Sequence, residues 1–354
     1  MTKTYVFIPS SSSKILKKMI KSTLSKFVDI EILNQNKLKF MDSMPQNSKI
    51  IFGIQIDDLG FDLETFEFFK SIYKKNPHFF YGSVGACLCN SPSENYTKST
   101  SSFVIHMANM MGCRFVGQPL VESINSFKNF MTWQKNYDMT LEEICYLLCS
   151  KLGERLLSYS FKKIDTPSLL VIHSSIKETS NTLNLWNMIK LHLGNRCSIK
   201  EFKVENGSVK DCIGCSYKTC MTFGSKNSCY FSGYLVDEVF PSLESSNALV
   251  MLCPNYNDSV SATLSATINR LTVLYRKKPF YEKNIFSIVV SGNSGGDSVS
   301  KQILNSLCIN KGFILPPYFS LTKIANDPNS IRSISNIDET ARFFADHIVD
   351  SILV

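Results

Sequence analysis

The chain has 354 residues, 44% of them hydrophobic and 19% charged, proportions that exclude a largely disordered or collagen-like protein. Lys+Arg minus Asp+Glu is 38 − 30 = +8, which suits an anionic ligand such as a nucleotide or a phosphate. The excess is spread along the chain and no run of about 18 uncharged apolar residues occurs, so neither a nucleic-acid nor a membrane partner is expected.

The segment Met1 to Ser13 enters a strand-like run instead of a charged region followed by a long apolar one, so no signal peptide is read and a cytoplasmic location is expected. Tyr5 to Ile8 is the first apolar run and leads into Ser10 to Ser13. Lys49 to Gly53 and Gly85 to Asn90 are further strand candidates, followed by a helix and by Gly112 to Val116. Lys162 to Pro167 supplies polar residues and a helix-ending proline, placing a boundary between a domain at 1–163 and a second at 166–354.

The second half alternates strand, polar loop and helix three times. Leu169 to Ile172 precedes the loop His173 to Thr182 and a helix from Leu183 to Leu193. Ala248 to Cys253 precedes Pro254 to Asp258 and a helix from Val260 to Tyr275. Ile285 to Val290 precedes Ser291 to Asp297 and a helix from Val299 to Lys311, with Gly312 past its end and Phe313 to Leu315 as a last strand. Ile337 to Val354 has helical apolar spacing and is expected to dock as a closing helix, while Trp133 and Trp186 are expected to pack. The matching order of elements in the first half reads as a diverged duplication, although two unrelated doubly wound domains would also align.

In an open parallel sheet, ligands lie beyond the carboxyl ends of the strands, so the three loops share one rim. Ser174, Ser175, Thr179, Ser180, Asn181 and Thr182 offer hydroxyls, an amide and N–H groups at a helix start, which fits a phosphate and also fits ordinary capping. Tyr256 and the asparagines of Pro254 to Asp258 could support a flat ring, and the glycines of Ser291 to Asp297 allow close backbone approach.

These motifs resemble the NADPH-dependent FMN reductases of flavodoxin-like fold, including the related iron-sulfur flavoproteins, over about residues 168–320. The family pattern of a Ser-rich loop ending in Asn-Thr, a Cys-x-x-Cys segment, a Ser-Pro-x-Tyr turn and a glycine-rich loop reads here as His173 to Thr182, Cys212 to Cys215, Cys253 to Tyr256, and Ser291 to Gly296. The resemblance implies an α/β protein of two flavodoxin-like doubly wound parallel-sheet domains in tandem. It implies FMN bound by Ser174, Ser175, Lys177, Ser180, Asn181, Thr182, Pro254, Asn255, Tyr256, Asn257, Ser291, Gly292, Asn293, Ser294 and Gly295. It further implies NAD(P)H as co-substrate and an acceptor that is a small molecule or a protein. The usual Pro and Arg of the first loop are Ser175 and Ile176 here, with Lys177 as a replacement point charge. No acid/base triad is found, and none is needed where the flavin carries the chemistry.

The first half lacks the Asn-Thr ending after Ser10 to Ser13 and the Pro-x-Tyr pattern after Gly53, so one flavin per chain is expected. Because members of the family commonly dimerise, the resemblance implies that the first half serves as the second partner of a pseudo-dimer, walling the flavin pocket, with a homo-oligomer also open. Cys212-x2-Cys215-x4-Cys220-x8-Cys229 permits free thiols, a 4Fe-4S cluster or zinc, and its spacing is longer than that of the iron-sulfur flavoproteins.

Overall fold

The apolar runs form two five-stranded parallel sheets, one in each of two units, Met1–Ser160 and Phe161–Val354. The computed structural model describes residues 3–33, 37, 40–175 and 178–352. The first sheet comprises β1 (Thr4–Phe7), β2 (Ile30–Leu33), β3 (Lys49–Gln55), β4 (Val84–Ser91) and β5 (Arg114–Ile124), in the order β2-β1-β3-β4-β5. The second comprises β6 (Ser168–His173), β7 (Ser198–Lys203), β8 (Ala248–Pro254), β9 (Asn284–Ser291) and β10 (Ser320–Ile324), in the order β10-β9-β8-β6-β7. Read from the second strand of each unit, both orders are 2-1-3-4-5, the flavodoxin-like arrangement.

Both sheets are covered on their faces, which is why the inner strands read as continuous apolar runs instead of alternating ones. In the first unit, helices Lys14–Thr23 and Leu141–Ser158 bury Leu16, Met19, Ile144 and Leu152 against Val6, Ile51 and Leu88. Phe52, adjacent to Ile51 and so on the opposite face, meets Phe69, Phe80 and Phe115. In the second unit, helix Asn181–Leu193 sets Leu185, Trp186 and Ile189 over Val171, Val250 and Ile288, and helix Ile337–Ser351 closes the same core with Ala341, Phe344 and Ile348. Trp133, expected to pack, is 39% exposed on a single short helical turn.

The fifth strand departs from the sequence reading. Phe313 to Leu315 is buried but forms no strand, with an isolated bridge at Asn284↔Ile314, and the strand is β10, five residues further on. Pro316 and Pro317 lack N–H groups and interrupt the ladder. The first unit makes the same detour within β5: Arg114 and Phe115 pair with Val84 and Gly85, the register shifts, and pairing resumes at Cys87↔Leu120. Gln118 and Tyr318 both turn the chain with left-handed backbones, φ 50° and 49°. Phe80 donates its N–H to Met111 O and Phe280 to Lys311 O, while Arg114 donates to Ser83 O and Ile314 to Lys283 O. A repeated irregularity of this kind is a stronger mark of duplication than the regular strands, which any doubly wound domain shares.

The helices are also more broken than expected. The stretch from Val260 to Tyr275 is two helices, Ala262–Arg270 and Thr272–Lys277, and the one after β9 runs Gly296–Ile303 before widening into a π-type turn over Leu304–Ile309.

Candidate functional site

The loops after β6, β8 and β9 leave the carboxyl ends of neighbouring strands, and hydrogen bonds tie them to one another. After β6, Ser180 caps helix Asn181–Leu193 by accepting from the Leu183 N–H at 3.4 Å. Its Oγ lies 3.2 Å from Ser175 Oγ, and Ser174 Oγ lies 3.1 Å from Ser261 Oγ at the start of helix Ala262–Arg270. Among the described residues the N–H groups of Asn181 and Thr182, in the first helical turn, have no protein acceptor. The Asn181 amide is engaged elsewhere: Nδ2 donates to Ala325 O and Asp327 O, and Oδ1 accepts from the Ile331 N–H. Thr182 is buried, and Lys177 lies outside the described residues.

After β8 the chain makes a tight turn. Tyr256 and Ser259 exchange backbone hydrogen bonds around Asn257 and Asp258, whose φ values of 52° and 56° define the two left-handed positions of a type I′ turn. The turn carries the Tyr256 ring outward, 61% exposed. Asn255 Nδ2 lies within 3.0–3.1 Å of Asp258 Oδ1, Ser291 Oγ and Ser294 O, which links this turn to the loop after β9. Its Oδ1 is buried without a partner. A buried acceptor left unmatched between two rim loops is suited to an N–H donor on the edge of a bound ring.

The glycines of the third loop have local causes. Gly295 has φ 86°, and a Cβ there would lie 1.8 Å from Asp258 Oδ1. At Gly292 a Cβ would come within 2.9 Å of Asn326 Oδ1. Asn293 and Ser294 complete an exposed turn between Ser291 and the helix at Gly296.

One polar group supporting this rim was not singled out from the sequence. His173, at the end of β6, is 6% exposed; its Nδ1 accepts from the Ser175 N–H at 3.3 Å and its Nε2 faces Glu201 Oε1 at 3.5 Å. Glu201 also receives Trp186 Nε1–H at 3.0 Å and Lys190 Nζ at 3.2 Å. The His173 contact first, then those of Trp186 and Lys190, overcome the opposing effect of burial and hold the Glu201 carboxyl at about 2. The available signal was His173 itself, an imidazole at the carboxyl end of an otherwise apolar strand run.

Cys212, Cys215, Cys220 and Cys229 all line one cavity of about 60 Å³ beside helix Tyr217–Gly224, together with Phe223, Tyr230, Phe231, Arg270 and Arg276. Arg270 is 3% exposed; it donates to Phe231 O, and its Nε has no partner. Among the described residues no three His, Cys, Asp or Glu side chains are grouped so as to hold a metal ion. The donor set is present but not gathered as a ligand shell. The other eight cysteines are buried, and burial pushes Cys89, Cys113 and Cys253 up to about 12, the state of inert core thiols.

The strand order, the ordered set of rim loops and the Cys-x-x-Cys segment converge on one family. Residues 167–326 match the NADPH-dependent FMN reductase family. The matched segment takes in β6 to β10 and all three rim loops but not the closing helix. No curated protein matches the sequence. Among solved structures, RosB with a bound 8-demethyl-8-formylriboflavin-5'-phosphate intermediate is 11% identical, with 52% of this chain and 79% of that one covered and a TM-score of 0.41. An FMN-dependent NADH-azoreductase from Bacillus anthracis in complex with FMN is 12% identical, with 52% of this chain and all of that one covered (100%) and a TM-score of 0.36. At these scores the structural likeness carries no argument; the fold assignment rests on strand order and connectivity. Among the described residues no helix is long and apolar enough to cross a membrane.

Proposed function

We propose that the second unit holds FMN at the rim of β6, β8 and β9 and acts as an NAD(P)H oxidoreductase. The observation that carries this reading is the meeting of two complementary features on one rim: N–H groups at a capped helix start, and the unmatched Oδ1 of Asn255. The phosphate is assigned to the hydroxyls of Ser174, Ser175 and Ser180 and the N–H groups of Asn181 and Thr182, where the helix dipole favours an anion. The ring edge is assigned to Pro254, Asn255, Tyr256 and Asn257 and to Ser291 through Gly295. FMN held there would supply two-electron chemistry, with hydride accepted from a reduced nicotinamide and electrons passed on to a small-molecule or protein acceptor. The chain's own contribution is placement: His173 orients the Ser175 backbone, Ser261 props Ser174, and Asn255 ties two loops together.

The test is FMN titration followed by fluorescence quenching. Ser174→Ala combined with Ser175→Ala is expected to weaken binding by about 1–3 kcal/mol, the range for lost hydrogen bonds to a charged group. Unchanged affinity would remove the phosphate assignment. A second reading, electron transfer through an iron-sulfur cluster, is favoured only by the convergence of four thiols and the half-satisfied Arg270 on one cavity. Iron and sulfide analysis of anaerobically purified protein decides it.

A further inference from the structure

The loop that follows β1 corresponds in topology to the phosphate loop after β6, since each follows the strand second in its sheet order and precedes a capped helix. Its hydrogen bonds are different. Ser10 donates its N–H to Glu64 Oε2 at 2.6 Å and its hydroxyl to Glu64 Oε1 at 2.7 Å, and Ser11 donates its N–H to Glu64 Oε1 at 3.1 Å. The Ser12 N–H goes to Pro9 O and the Ser13 N–H to Gln55 Oε1. Ser13 Oγ donates to Asn90 Oδ1 and accepts from the Leu16 N–H. All four loop N–H groups are therefore used within the chain.

Glu64 is the second residue of helix Leu63–Lys75, so its carboxylate also lies at a helix start that favours negative charge. Burial pushes its carboxyl up, but the donors of Ser10 and Ser11 outweigh that and hold it below the usual range. In the second unit, the helix after β8 offers a neutral hydroxyl instead, Ser261 beside Ser174. The ring side of the first rim is altered too. Tyr96 takes the left-handed position before helix Thr97–Met110 that Gly295 takes before helix Gly296–Ile303, and its side chain lies directly over Gly60, in the loop after β3.

We propose that Glu64 is a built-in anion that fills the phosphate position of the first unit and thereby decides which of the two units accepts a phosphorylated cofactor. The carboxylate supplies the charge that a phosphate would bring, occupies the donors it would use, and repels any phosphate that approaches. This inference rests on the assignment of the FMN phosphate to the β6 loop, but its test involves no flavin.

The experiment is hydrogen exchange on the full chain, read at the Ser10 and Ser11 amides, with inorganic phosphate as the probe. In the wild type these amides are protected, and phosphate at tens of millimolar leaves them unchanged. In Glu64→Ala they exchange about tenfold faster or more, and phosphate restores protection. Glu64→Asp, whose shorter side chain withdraws the carboxylate while keeping the charge, gives faster exchange that phosphate does not restore; it serves alone if the alanine variant fails to fold. Wild-type exchange rates in both variants, or fast exchange in Glu64→Ala that phosphate leaves unchanged, would overturn the proposal. Failure of FMN to bind the β6 loop would leave these outcomes unaffected, so the two readings fail separately.

Discussion

Glu201 is where the second unit concentrates its polar support. On an edge strand it would ordinarily face water, but it gathers an imidazole, an indole N–H and an ammonium from β6 and the helix after it. Glu201→Gln keeps the size and loses the charge, so it is expected to lower stability by about 1–3 kcal/mol in urea unfolding at neutral pH. Trp186 fluorescence reports it, with Trp133→Phe removing the first unit's signal. The sign follows from a carboxyl held at about 2 against an ordinary 4.5: its stabilisation is complete above 4.5 and lost as pH falls through 2. The gap between wild type and variant is therefore expected to close over that acid window, and a gap independent of pH would show that packing, not charge, makes the difference.

Among elements, the pair formed by helices Lys14–Thr23 and Leu141–Ser158 shows how one residue sets a distance. Gly153 lies inside the second helix, where glycine costs conformational entropy, yet a Cβ there would lie 2.0 Å from the Thr23 carbonyl oxygen. Gly153→Ala is expected to lose about 1–3 kcal/mol, as overpacking does, although alanine is the better helix former. A thermal melt no lower than wild type would show that the two helices part at little cost. The segment Cys212 to Cys229 gives an element-scale test of a different kind. As free thiols, all four are expected to alkylate in the folded protein faster than the eight buried cysteines; resistance together with bound iron or zinc would establish a metal site.

For the whole molecule, the repeated chain plan and unequal loops predict one FMN per chain, measured as flavin absorbance against protein concentration after reconstitution. A ratio near two would show that the first unit also binds. Whether residues 1–160 contribute to the flavin site is decided by comparing residues 161–354 alone with the full chain. The pseudo-dimer expectation requires weaker FMN binding and slower NAD(P)H oxidation by the fragment, and equal performance would end it.

The sequence alone determined the parallel strands, the tandem order and the three rim loops, because apolar runs, helix starts and turn residues are local signals that survive without knowledge of neighbours. It misplaced the fifth strand of the second unit, since Phe313 to Leu315 is as apolar as a strand and only pairing with β9 shows that the ladder resumes after the two prolines. It assigned the Asn181 amide to a phosphate, whereas bonds to residues 325–331, distant in sequence, occupy it. It led to the expectation of one flavin per chain through the missing Asn-Thr and Pro-x-Tyr patterns of the first unit. Tertiary structure brought Glu64, 54 residues from Ser10 in sequence, onto the loop after β1. A carboxylate at a helix start is ordinary in sequence; it becomes specific only when folding brings it against the Ser10 and Ser11 N–H groups.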